Sequence, residues 1–235
     1  MLEIDNLQKS FGKTQALRGL DLEVGPGNVY ALLGPNGAGK TTAINTCLGF
    51  IEPDQGKVLI DDIDPAIDPL GARALLAYIP ENVTLYGALT GLENLDYFSE
   101  LAGKRYGRQD LNVFLTRAGL PEEAMGRPVK TYSKGMRQKV GVAIALAKQA
   151  RLLLLDEPTS GLDPRASHEF SMLLGELSKE GMAILMATHD LFRARETASY
   201  IGIMVDGALK AEMRAEETTS GEIERIYLEA THVSQ

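Results

Sequence analysis

The 235-residue chain has a single cysteine, Cys47, which excludes an internal disulfide framework and suits a reducing compartment. It has no surplus of positive charge. Against 24 Lys and Arg stand 32 Asp and Glu, a net charge of −8, which argues against a generic basic nucleic-acid binder while leaving room for a local basic patch. Long hydrophobic runs are also missing. A membrane span needs about 20 apolar residues, and Val140 to Ala147 and Leu152 to Leu155 fall far short. The start, Met1-Leu2-Glu3-Ile4-Asp5, shows no basic segment followed by an apolar one, so no signal peptide is expected. Work at a membrane would need another polypeptide to span it. There is no repeat, low-complexity tract or long linker.

What is present is an ordinary globular composition, 44% hydrophobic and 24% charged. The length allows one large domain or two small ones, with a full core. Short apolar runs alternate with helical stretches, which predicts an α/β fold with a mostly parallel sheet. Expected strands cover 2–7, 17–24, 29–33, 57–60, 75–79, 152–155 and 182–187. Tyr200 to Val205 and Leu209 to Glu212 flank Asp206-Gly207, a hairpin signal. Expected helices cover 40–48, 108–118, 134–150, 164–179 and 191–198. Thr90-Gly91-Leu92-Glu93 reads as a capping box opening another helix that stops near Gly103. The stretch from Gly87 to Ala150 carries almost no strand pattern, which predicts a helical subdomain set into an α/β core. The tail from Arg214 is polar and is expected to end in a short helix.

Gly34-Pro35-Asn36-Gly37-Ala38-Gly39-Lys40-Thr41 matches the G-x-x-x-x-G-K-[ST] phosphate loop in full, between a strand and a helix. Its glycines let backbone N–H groups converge, and the helix N-terminus adds partial positive charge. Lys40 can reach the β- and γ-phosphates, and the Thr41 hydroxyl is placed to ligate Mg²⁺. The bland alternative, a glycine-rich turn with a stray lysine, fits the strand–loop–helix frame poorly.

Leu152 to Leu155 run into Asp156-Glu157, an apolar strand ending in two carboxylates. Asp156 can hold Mg²⁺ opposite Thr41. Strand side chains alternate, so Glu157 can instead face an attacking water as general base. Two acids capping a strand in solvent would look the same in isolation. His189 follows the 182–187 strand and falls at the same sheet edge, as a γ-phosphate sensor or as an ordinary surface residue.

Tyr132-Ser133-Lys134-Gly135-Met136-Arg137-Gln138 lies some twenty residues before the acidic strand and opens a helix. With the motifs above it resembles the signature of ATP-binding-cassette (ABC) ATPases, over almost the whole chain. The resemblance implies a P-loop NTPase core with antiparallel β elements, binding ATP and Mg²⁺. It implies a core of residues 1–86 and 151–213, a helical subdomain of 87–150 and a tail of 214–235. Phe11 would stack on adenine, with Gly34, Pro35, Asn36, Gly37, Ala38, Gly39, Lys40, Thr41 and Thr42 around the phosphates. Asp156 closes the Walker B strand, Glu157 matches the catalytic glutamate and His189 the switch histidine. Ser160-Gly161-Leu162-Asp163 looks like the D-loop.

Family logic also implies a second ATPase subunit, in a homodimer or with a related chain, so that Ser133, Lys134 and Gly135 close on the partner's nucleotide. Ser133 could equally be a plain helix cap. Three positions depart from the family pattern, and at one of them Met136 stands where glutamine is common. Lys134 replaces the usual glycine and points either toward the partner's nucleotide or into solvent. Glu81 replaces the usual glutamine of the Q-loop and could still approach Mg²⁺ through a water.

Glu81 resembles the ABC-2-type exporters. The Tyr132-to-Val140 run and Glu81 to Tyr86 look most like the ATPase of the complex that matures the copper sites of nitrous oxide reductase. That likeness implies a membrane permease, a periplasmic protein, no nucleic acid, and a place on the cytoplasmic face of the inner membrane. No residue pattern shows copper chemistry. A generic drug or lipid exporter, or a soluble non-transport ABC ATPase, is the alternative.

Overall fold

The computed structural model describes residues 1–232. Three strands, β3 (Val29–Leu33), β6 (Leu152–Asp156) and β7 (Ala183–Thr188), are buried at every position. Parallel strands covered on both faces have this near-continuous apolar composition. They lie in a six-stranded sheet with β5 (Leu76–Ile79), β8 (Tyr200–Val205) and β9 (Ala208–Arg214), in the order β5-β6-β7-β3-β8-β9. All neighbouring pairs are parallel except β8 and β9. Asp206 and Gly207 turn that last pair at φ 50° and 80°, the left-handed backbone that an Asp-Gly hairpin requires.

Alternation along the central strands feeds two cores. Val29, Ala31, Leu33, Leu153, Leu155, Ile184 and Met186 pack on the side of α6 (Lys134–Lys148) and α7 (Pro164–Lys179). Tyr30, Leu32, Leu152, Leu154 and Leu185 pack on the other side with Ile44 and Cys47 of α1 (Lys40–Cys47). That second core is closed by an antiparallel sheet of β1 (Leu2–Phe11), β2 (Thr14–Val24) and β4 (Gln55–Ile60), in the order β2-β1-β4.

Between β5 and β6 lie only helices: α3 (Gly91–Leu101), α4 (Arg108–Arg117), α5 (Glu122–Met125), a 3₁₀ turn at Val129–Thr131, and α6. The capping box at the start of α3 is formed. Thr90 Oγ1 accepts from Glu93 N at 3.1 Å, and Glu93 Oε2 accepts from Thr90 N at 2.8 Å. An eight-residue run starting at Asp68 gives an unexpected element, α2 (Pro69–Leu75), so β5 begins only at Leu76. Asp68 caps it by accepting from Gly71 N at 2.9 Å, and Pro69 occupies its first position, where the missing N–H costs nothing.

The final helices are α8 (Leu191–Thr197) and α9 (Ser220–His232). The tail is polar in composition, yet Ile223 of α9 is fully buried against the core. Residues 233–235 of the expected tail lie outside the described residues. Among the described residues no helix is long and apolar enough to cross a membrane.

Candidate active site

The C-terminal ends of β3, β6 and β7 lie side by side, the position at which open α/β sheets bind ligands. β3 runs into the loop from Gly34 to Gly39. Gly34 packs so closely on β8 that a Cβ there would lie 2.2 Å from the Met204 carbonyl oxygen. Gly39 caps α1 at φ 104°, and Gly37, at φ 82°, has open space where a side chain would stand. The loop is thus tight against the fold behind and bare in front, a cradle of main-chain N–H groups.

Lys40 is 5% exposed. Its ammonium donates to the Gly34 and Pro35 carbonyls at 2.6 and 3.1 Å and lies 3.5 Å from Glu157 Oε1. Thr41 Oγ1 donates to Asp156 Oδ2 at 2.9 Å. Burial raises the Asp156 carboxyl above the usual carboxylate range, against the pull of the Thr41 hydrogen bond.

Glu157 leaves the strand with φ 48°, an uncommon backbone for a non-glycine residue. This turns its carboxylate away from Asp156's partner. Oε2 lies 2.8 Å from His189 Nδ1, while Oε1 is buried and takes no hydrogen bond.

A cavity of about 420 Å³ opens over the loop. Its walls include residues 36–42 with Glu81, Asp156 and Glu157. Asp206 also lines it, as do Thr14, Gln15, Ala16 and Arg18, which carry no motif that marks them in the sequence. The Asp-Gly hairpin beside β3 is the signal that could have found Asp206. Phe11 ends β1 beside this wall, half-exposed, and pairs with Thr14, but does not itself line the cavity.

Other expected site residues fall elsewhere. Ser133 caps α6, accepting from Met136 N at 3.2 Å, and Asp163 caps α7, accepting from Ala166 N at 2.9 Å. Neither Ser133 nor Gly135 lines the cavity over the loop. A Cβ at Gly135 would meet Leu162 and Ala166 only at 3.6 Å, an ordinary contact. Ser160, Gly161 and Leu162 border a second cavity of about 300 Å³ together with Glu157 and His189. Glu157 therefore faces both spaces.

Lys134 does not point into open solvent. Its ammonium lies 3.4 Å from Glu81 Oε1, which also accepts from the Ser160 hydroxyl at 2.9 Å. The Ser160 bond, then Lys134, hold the Glu81 carboxyl below the usual range.

The loop fits a triphosphate and the Thr41–Asp156 pair fits a hard cation. No group of three or more His, Cys, Asp or Glu that could hold a metal occurs among the described residues. A small oxygen-donor set suits Mg²⁺ that shares its coordination with phosphates and water.

Residues 17–160 match the protein family described as ABC transporter. The chain belongs to the ABC transporter ATPase family. The ABC transporter ATP-binding protein YdbJ of Bacillus subtilis (strain 168) is 37% identical over 93% of this chain and 70% of its own length. The lantibiotic transport ATP-binding protein SrtF of Streptococcus pyogenes is 34% identical over 90% of each. Further relatives are named for antibiotic resistance and for methionine import. The dimeric post-hydrolysis state of an ATP-binding cassette bound to ADP and Pi superposes with a TM-score of 0.80 at 27% identity. The match covers 92% of this chain and 99% of that one. As an ABC ATPase the chain binds and hydrolyses ATP with Mg²⁺, dimerises and pairs with a transmembrane permease.

Proposed function

We propose that this chain is the motor subunit of an ABC-2-type complex of the NosDFY kind, which matures the copper sites of nitrous oxide reductase. In that role it corresponds to NosF. It would work as a homodimer on the cytoplasmic face of the inner membrane, with a NosY-like permease and a NosD-like periplasmic protein. The observation that carries the motor reading is the convergence of Lys40, Thr41, Asp156, Glu157 and His189 at one sheet edge. The finer assignment rests on the likeness of Tyr132 to Val140 and of Glu81 to Tyr86.

The chemistry follows from the positions of the side chains. Bound Mg²⁺ would supply charge neutralisation at the phosphates, held by Thr41 and Asp156 with Glu81 at its edge. Lys40 offers a point charge to the phosphates once its ammonium leaves the loop carbonyls. Glu157 accepts a proton from water with Oε1 once the Lys40 ammonium, 3.5 Å away, moves to the phosphates. His189 holds Glu157 through the other oxygen. Phe11 would cover the base, and Thr42 and the loop amides the phosphates. Ser133 and Gly135 would meet the partner subunit's nucleotide, with Asp163 near the shared interface. The division into a core of 1–86 and 151–213, a helical subdomain of 87–150 and a tail belongs to the same reading.

Deletion of the gene in its host should deplete the copper sites of nitrous oxide reductase. The wild-type chain should restore them and Glu157→Gln should not. Full copper occupancy in the deletion strain would reject the NosF-like role. Relatives named for lantibiotic transport and drug resistance favour a second reading, a generic exporter. Altered drug susceptibility with intact copper sites would select it.

A further inference from the structure

Glu81 and Lys134 are two of the three departures from the family pattern, and they touch. Glu81 Oε1 receives the Lys134 ammonium at 3.4 Å and the Ser160 hydroxyl at 2.9 Å. Lys134 is the first residue of α6, and its side chain is only 20% exposed. One turn further, the fully buried Gln138 donates its amide to the carbonyls of Pro80 and Glu81 at 3.3 and 3.1 Å. Residues four apart share one face of a helix. That face of α6 therefore grips Glu81 twice, by its side chain and by its main chain. The same ammonium also stands over Gly161, where an added Cβ would lie 3.8 Å away. Three segments meet here: the loop after β5, the start of α6 and the loop after β6.

We propose that Lys134 is a positioning residue acting within its own chain. It holds the Glu81 carboxylate on Ser160 and so sets the loop between β5 and α3 at the rim of the nucleotide cavity. Glu81 brings a fourth carboxylate to a cavity already lined by Asp156, Glu157 and Asp206, and Lys134 offsets that charge. These two departures are then one matched pair. The inference deepens the proposed function, because Glu81 is the residue placed there at the edge of the Mg²⁺ site. The contact itself requires neither permease nor nucleotide.

Because the Glu81 carboxylate is half-exposed, the ion pair adds little to global stability and its effect is local. The test is hydrogen exchange of backbone amides 79–86 in the nucleotide-free full chain, read beside Tm. Lys134→Ala and Glu81→Gln should each speed exchange about two- to fivefold, and Tm should move by about 2 °C or less. Lys134→Arg should keep the slow rate, and the double variant should exchange no faster than the faster single. Wild-type exchange in Lys134→Ala, or effects that multiply in the double variant, would overturn the proposal in favour of action across the subunit interface. Loss of the copper-site role would leave this result untouched, so the two readings fail separately.

Discussion

Glu157 Oε2 and His189 Nδ1 lie 2.8 Å apart across the ends of β6 and β7, two adjacent parallel strands. The pairing is long-range in sequence and short in space, and it leaves the other Glu157 oxygen free of hydrogen bonds. Replacing the carboxylate by an amide keeps the shape and removes the base. Glu157→Gln should retain ATP binding and lose about 10²- to 10⁴-fold in turnover. Equilibrium nucleotide binding and phosphate release measure the two separately, and near-normal release would take Glu157 out of the base role.

Two glycines should separate folding from assembly. A Cβ at Gly34 would lie 2.2 Å from a main-chain oxygen of β8, so Gly34→Ala should cost about 1–3 kcal/mol in denaturant unfolding. A Cβ at Gly135 meets nothing closer than 3.6 Å within the chain. Gly135→Ala should leave monomer stability within about 0.5 kcal/mol. Its ATP-dependent dimerisation should weaken about tenfold if a partner's nucleotide closes on that face. Unchanged dimerisation in sedimentation would remove Gly135 from the interface.

The Glu93 carboxyl is held below the usual range, first by the Thr90 N–H and then by its hydroxyl. A lowered carboxylate contributes stability that is fully present above the unfolded value, about 4.3, and is lost as pH falls through the lower folded value. The Tm gap between wild type and Glu93→Ala should therefore be constant near neutrality and narrow below about pH 4. A gap that widens on acidification would contradict the capping-box account.

Burial pushes the Cys47 thiol up to about 12. The thiolate fraction at pH 8 is then about one in ten thousand, on a side chain that solvent does not reach. A disulfide reagent should leave the native chain unmodified for hours and titrate one thiol at once in denaturant. Prompt reaction without denaturant would mean that α1 opens readily.

The parts of the site carried by contiguous residues were legible in the sequence. Lys40, Thr41, Asp156, Glu157 and His189 each follow an apolar strand, and the fold only has to align strand ends. Thr14, Gln15, Ala16 and Arg18 were not legible, because they reach the cavity only where β2 docks on the hairpin at Gly207, a contact between distant segments. The Glu81–Ser160 bond is equally hidden, joining two loops 79 positions apart. Helix α2 had its cap signal in Asp68-Pro69, but the apolar Leu75 and Leu76 at its end read as a longer strand. Ile223, Ile226, Tyr227 and Ala230 of α9 pack on the core at helical spacing, a stripe that the polar composition of the tail obscured.

The hairpin at Gly207 has a mechanical consequence. Its N–H bonds the Ala38 carbonyl at 2.9 Å, and its carbonyl receives the Arg18 N–H at 2.8 Å. One turn thereby ties the phosphate loop to β2, which belongs to the other sheet. Displacement of either must drag the other, so the floor and the side of the cleft move as one body.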